Sequence, residues 1–295
     1  MQFFKKNILL TIMLLILSFY VYKNYTRLVE GNSLIDKNSI QYVNSLYMSD
    51  GRIYNKFLTD IEKKLYLEYF NSVNNRKKSI SFPLNSYDCK NYQECFNLIS
   101  KIHHAILADH PELMSYSGYM ARYKDDKITI NFDYATLFSL LESIGELRIE
   151  RIIDDIKNST KEMSDIEKIK YVYKWMGVNN KYDKIFTYQS KNQSIYNVFI
   201  KHEAVCAGFA KASQVIFQNI GITSYAVTGN STGPHMWNIV LVDGNYYYFD
   251  STVATSFSSD NSSQFYWGLK QKNLKDYTLD YPEWYQFEIS EKEIF

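Results

Sequence analysis

From Ala207 to Ile220 the apolar residues fall at helical spacing, with Phe209, Ile216, Phe217 and Ile220 on one stripe beside Ser213. Ala210 and Ala212 favour the helix, and Gly221 supplies a C-terminal cap. The period then changes from helical to alternating. Ile222–Gly229, His235–Val242 and Asn245–Asp250 read as three strands, and Asp243-Gly244 is a two-residue hairpin signal between the last two. That turn pairs Val242 with Asn245, Leu241 with Tyr246, Ile239 with Tyr248 and Trp237 with Asp250. Alternation then puts His235, Trp237, Ile239 and Leu241 on one face with Tyr246, Tyr248 and Asp250. Asp250 lies diagonal to His235, within reach of a side-chain hydrogen bond. A turn one residue longer would place the two on opposite faces.

Upstream, the pattern predicts helices around Thr59–Val73, over Phe96–Asp109 and over Thr136–Ile156. A further helix over Ile166–Met176 is opened by the capping box Ser164-Asp-Ile-Glu167. Tyr116–Tyr123 and Lys127–Phe132 alternate around Asp125-Asp126 and predict a hairpin. Pro111 ends the helix before it by restricting His110, and Asp109-His-Pro-Glu-Leu113 is assigned no chemistry. The expected organisation is an N-terminal segment over 1–24, a juxtamembrane and α/β region over 25–134, and a C-terminal domain over 135–295.

Cys206 sits where the predicted helix begins, so unpaired N–H groups and the helix dipole favour its thiolate. A thiolate nucleophile needs a base beside it, and the base needs a third group to orient it. The hairpin supplies His235 and Asp250 in those roles. Gly208 lets a backbone pass close to the helix, and a substrate's is the one expected there. Trp237 either walls a substrate groove or is a core tryptophan. The oxyanion of acyl chemistry needs a donor: the backbone N–H of Cys206 is one candidate, and Tyr182 or Trp175 another, Trp175 being the more core-like.

These segments resemble the transglutaminase-like superfamily, the papain-related group that includes bacterial membrane-anchored and secreted proteins. The residues carrying the resemblance are Ala204-Val-Cys-Ala-Gly-Phe209, Gly221-Ile222, His235-Met-Trp-Asn238, Tyr247-Tyr-Phe-Asp-Ser-Thr252 and the upstream Tyr182-Asp183. The family's pattern often has glycine at Ala204, tyrosine at Phe209, alanine at Met236 and an aromatic at Val253; none of these departures removes a member of the trio. The resemblance covers about residues 140–255. It implies an α+β fold, with a nucleophile helix packed on an antiparallel sheet, preceded by a small α/β region and an N-terminal membrane helix. It also implies Cys206 as nucleophile, His235 as base then acid, and Asp250 as orienting group. Tyr182, Gly208 and Trp237 are the substrate-cleft candidates. The implied activity is cysteine-dependent acyl transfer on protein or peptide amides, ending in hydrolysis or in cross-linking. The other class that fits is a non-catalytic cell-surface module that keeps the fold and holds a peptide in the cleft.

Composition narrows the partners. The chain has 295 residues, with 33 basic and 32 acidic side chains. This is no electrostatic footprint for nucleic acid. No metal and no cofactor is expected. Lys5-Lys6 precede Ile8–Tyr22, an uncharged, mostly apolar run. As a helix it spans about 22 Å, short for a bilayer unless its polar and aromatic flanks reach the interface. No small-residue cleavage pattern follows it, so an uncleaved anchor is favoured over a cleaved signal, with the remaining chain outside the cytoplasm. The expected partners are the membrane, through this segment, and a protein or peptide substrate, including cell-envelope components. Of the three cysteines, Cys89 and Cys95 either close a small loop in an oxidising compartment or remain thiols. Cys206 is the odd one left over.

Overall fold

The computed structural model describes residues 53–114, 116–134, 139–183, 192–255, 277–279 and 286–290. The anchor expected over 1–24 lies outside them. Among the described residues no helix is long and apolar enough to cross a membrane.

The first half is helices against a small sheet. Helix α1 (Ile53–Phe57) is short, and α2 (Asp60–Asn74) is opened by a capping box in which Thr59 and Glu62 satisfy each other's backbone N–H groups. Strand β1 (Ser79–Pro83) follows, with Ile80 and Phe82 buried between exposed neighbours. Helix α3 (Tyr92–Asp109) starts one turn earlier than its apolar stripe, because the Asn91 side chain accepts the Glu94 N–H at 3.0 Å. Cys95 therefore lies in the first turn of α3, bonded to Cys89 in the loop before it. The expected hairpin forms as β2 (Tyr116–Lys124) and β3 (Lys127–Tyr134), and the sheet order is β1-β3-β2, antiparallel throughout.

Helix α4 (Ser139–Thr160) and helix α5 (Asp165–Asn179) form the next layer, and Ser164 and Glu167 close the predicted capping box on α5. Two two-residue strands, β4 (Lys181–Tyr182) and β5 (Glu203–Ala204), pair in parallel. Helix α6 (Cys206–Ile220) follows directly. Strands β6 (Ser224–Asn230), β7 (Pro234–Val242), β8 (Asn245–Phe249) and β9 (Thr278–Leu279) make an antiparallel sheet of order β8-β7-β6-β9.

Asp243 and Gly244 both have positive φ, 48° and 76°, as a tight hairpin turn requires, and Val242 pairs with Asn245 as the turn predicts. One face of the hairpin, with Val240, Val242, Tyr247 and Phe249, shares a core with Phe209, Val215, Ile216 and Phe217 of α6. Phe209, Phe217 and Phe249 are fully buried, each contributing roughly 2–3 kcal/mol of apolar burial. On the same face the buried Asn238 donates from Nδ2 to the Ala210 carbonyl at 2.9 Å, fixing α6 to β7.

The Asp109-His-Pro-Glu segment joins the two halves. The Asp109 carboxylate accepts the N–H groups of Ile53 and Tyr54 and the Tyr66 hydroxyl, at 2.9, 3.0 and 2.9 Å. Its backbone carbonyl accepts from Gln218 of α6, and that of Ala108 accepts from Gln214.

Candidate active site

Local sequence fixes each member of the trio. Cys206 is the first residue of α6, where the first N–H groups have no partner within the helix and are left for other acceptors. Its Sγ accepts the backbone N–H groups of Ala207 and Met236 and is hydrogen-bonded to the His235 side chain. Burial pushes the thiol up, but these three partners outweigh it and hold Cys206 below the ordinary thiol range.

His235 lies near the start of β7, with Nε2 2.7 Å from Asp250 Oδ2. With Nε2 committed to Asp250, the other ring nitrogen, Nδ1, is left for Cys206. Burial pulls the imidazole down, but hydrogen bonds to Asp250 and Cys206 raise it to about 9. Asp250 is 2% exposed and caps the short helix α7 (Ser251–Ala254), with the Thr252 N–H on Oδ1 at 2.9 Å. Burial pushes its carboxyl up, and His235, the Tyr277 hydroxyl and the Thr252 N–H together more than offset this. The lowered thiol and the raised imidazole agree in direction: both shifts favour the thiolate–imidazolium form of the pair, oriented by a carboxylate. That state suits attack on a carbonyl carbon and protonation of a leaving amine.

The three cleft candidates fare differently. Tyr182 stands beside the nucleophile because parallel pairing of β4 with β5 brings it opposite Ala204, and the backbone N–H of Cys206 reaches its hydroxyl. Gly208 is buried. A Cβ there would lie 2.9 Å from the Ala204 Cβ and 3.2 and 3.3 Å from the carbonyl oxygens of Asn192 and Ser194. The backbone that lies against it is the chain's own. Trp237 shares the His235 face, as alternation requires, but is 1% exposed and so offers no surface to a substrate. Its ring lies 5.8 Å from that of His235, interplanar angle 22°, and backs the imidazole. Trp175 packs on Phe199 against the core, away from the role of oxyanion donor.

Two positions escaped the sequence reading. The Tyr277 hydroxyl donates to Asp250 Oδ2 at 2.6 Å. It lies well past the alternating strands, and no periodicity points to it. Asn192 donates to Asp183 at 2.9 Å and accepts the Val205 N–H on its backbone carbonyl at 3.1 Å, tethering the residue before the nucleophile. Only the neighbouring Tyr182-Asp183 hinted at that contact.

The fold thus brings together a cysteine at a helix start, a histidine on the adjacent strand and an aspartate at the end of the next. Residues 153–251, which hold all three, match the family model of the transglutaminase-like superfamily. Among solved structures, one described as a TGase is 15% identical, with a TM-score of 0.33 over 50% of this chain and 46% of that one. The periplasmic domain of TgpA from Pseudomonas aeruginosa, bound to ethylmercury, is 11% identical, with a TM-score of 0.32 over 44% of this chain and 56% of that one. The chain thus spans about half the length of these structures. No curated protein matches the sequence.

Proposed function

We propose that this protein is a cysteine-dependent acyltransferase or hydrolase acting on protein or peptide amides outside the cytoplasm. The observation that carries the reading is the hydrogen-bonded chain from Cys206 through His235 to Asp250. The Cys206 thiolate attacks the amide carbonyl carbon and forms a C–S bond. Tyr182, whose hydroxyl already sits at the Cys206 N–H, is placed to donate to the oxyanion that develops. As the C–N bond breaks, the His235 imidazolium gives its proton to the departing amine. The neutral imidazole then takes a proton from water or from a second amine, which attacks the thioester and frees Cys206. Water gives hydrolysis; a lysine amine gives a cross-link. Asp250 stays ionised throughout and keeps the ring in register.

The location rests on two features. Lys5-Lys6 followed by the apolar run at Ile8–Tyr22 fits a tether over residues 1–24 with the chain beyond it exported. The Cys89–Cys95 disulfide suits an oxidising compartment. The substrate class in this reading is protein or peptide, cell-envelope components included.

The test is incubation of the full chain with casein, with and without a biotinylated primary amine, beside Cys206→Ala. Casein fragments or biotin incorporation that vanish in the variant support the reading and separate its two branches. No covalent casein–enzyme intermediate and no Cys206-dependent product in either arm would overturn it.

A further inference from the structure

Asp250 is held on more sides than a two-member pair with His235 requires. Oδ1 takes the Thr252 N–H, while Oδ2 takes both His235 Nε2 and the Tyr277 hydroxyl, at 2.7 and 2.6 Å. Tyr277 comes from a part of the chain beyond the matched residues 153–251. It is delivered by β9, where Thr278 pairs with Asn230 and Leu279 with Gly229; Gly229 in turn pairs with His235 on β7.

The chain makes room for this delivery. A Cβ on Gly229 would lie 2.0 Å from the Thr278 carbonyl oxygen and 2.7 Å from the Trp237 ring, so β9 can dock only because that residue is glycine. The Tyr277 ring is edge-on to Trp237 at 5.0 Å and to His235 at 6.1 Å. The Ser231 side chain donates to the Tyr277 oxygen from the loop after β6.

We infer, on the reading proposed above, that Tyr277 is a positioning residue that moderates the His235–Asp250 pair and, through it, the reactivity of Cys206. A donor on Oδ2 draws charge from the oxygen that faces the imidazolium, so it weakens the hold of Asp250 on the proton of His235. Burial and the Asp250 charge keep the phenolic proton on Tyr277, so the donor is present across the working pH range. The other titratable groups facing the pair are Cys206 from α6, Tyr173 from α5, Tyr182 from β4 with Asp183 beyond it, and Tyr248 from β8. Among these described groups the phenols stay neutral, which leaves Tyr277 as the donor that tunes Oδ2.

The test is the rate of Cys206 alkylation by iodoacetamide against pH, on the full chain, for wild type, His235→Ala, Tyr277→Phe and Ser231→Ala. The wild-type profile has two steps, the lower from Cys206 and the upper from His235. Tyr277→Phe keeps the ring against Trp237 and removes only the donor. Its upper step is expected to move up by about 0.5 in pH. Ser231→Ala, which makes Tyr277 a weaker donor, is expected to move the step the same way by less, and it serves should the Phe variant fold poorly. Variant profiles that coincide with wild type, or an upper step that moves down, would overturn the inference and leave Tyr277 a packing residue. A wild-type profile with one ordinary thiol step, unchanged by His235→Ala, removes the proposed function itself and the inference with it.

Discussion

Asp250 stands one residue past Phe249, the last paired residue of β8, and meets His235 at 2.7 Å from the diagonal position. The meeting depends on the register of the hairpin, because side chains alternate and a slip of one residue sends Asp250 to the other face. One glycine inserted after Gly244 is therefore expected to abolish the low-pH component of Cys206 alkylation and to destabilise the sheet. Alkylation kinetics and urea unfolding check the two effects. An insertion variant with wild-type thiol reactivity would contradict the register argument.

The Cys206–His235 pair also fixes a pH signature of stability. His235 is raised to about 9 when folded, so its contribution is complete below the unfolded value near 6.5 and is lost as pH rises through about 9. Cys206 is lowered, so its contribution is present above the unfolded thiol value and is lost as pH falls through the folded one. Where the two ranges overlap the slopes oppose, so wild-type stability is expected to vary less with pH there than either group alone would make it. Cys206→Ser leaves only the part of the His235 slope that Asp250 supports, so its stability should fall as pH rises above about 6.5. Urea midpoints measured at several pH values decide this; parallel curves for the two proteins would refute it.

Tyr182→Phe separates oxyanion binding from thiol activation. Its hydroxyl meets the Cys206 N–H, whereas Sγ is served by His235, Met236 and Ala207. Turnover is expected to drop roughly 10- to 1,000-fold. Alkylation at neutral pH should stay near wild type. Loss of both together would show that Tyr182 supports the thiolate instead.

Asn238→Ala removes the buried hydrogen bond that ties β7 to the Ala210 carbonyl of α6. A loss of about 1–3 kcal/mol is expected in urea unfolding. Gly208→Ala should cost a similar ~1–3 kcal/mol, through crowding against Ala204 and the Asn192 and Ser194 carbonyls. If Gly208→Ala kept full stability and lost activity alone, the cleft role that the packing argues against would be restored.

Much of the site was legible in the sequence because its geometry is local. A helix opening at Cys206 and a two-residue turn at Asp243-Gly244 are enough to bring His235 and Asp250 to one face. What escaped depends on contacts between distant segments. Tyr277 reaches Asp250 only through the two-residue strand β9, too short to show a period. Tyr182 was named as a candidate, but the parallel pairing that brings it to Cys206 is equally short. Alternation placed Trp237 on the correct face, but could not tell a groove wall from a ring sealed by Tyr248 and Tyr277. Strand β1 was missed because its apolar positions are only Ile80 and Phe82, followed by Pro83.

The most direct measurement is the ultraviolet absorbance of the thiolate titrated against pH, with Cys206→Ser as the blank and His235→Ala as the comparison. With Cys89 and Cys95 in a disulfide, Cys206 is the one thiol of the chain that titrates. A Cys206-dependent step well below the ordinary thiol value of about 8.5, moved to or above it in His235→Ala, is the expected result. A step at or above about 8.5 in both proteins would contradict the thiolate–imidazolium pair at the centre of the proposed chemistry.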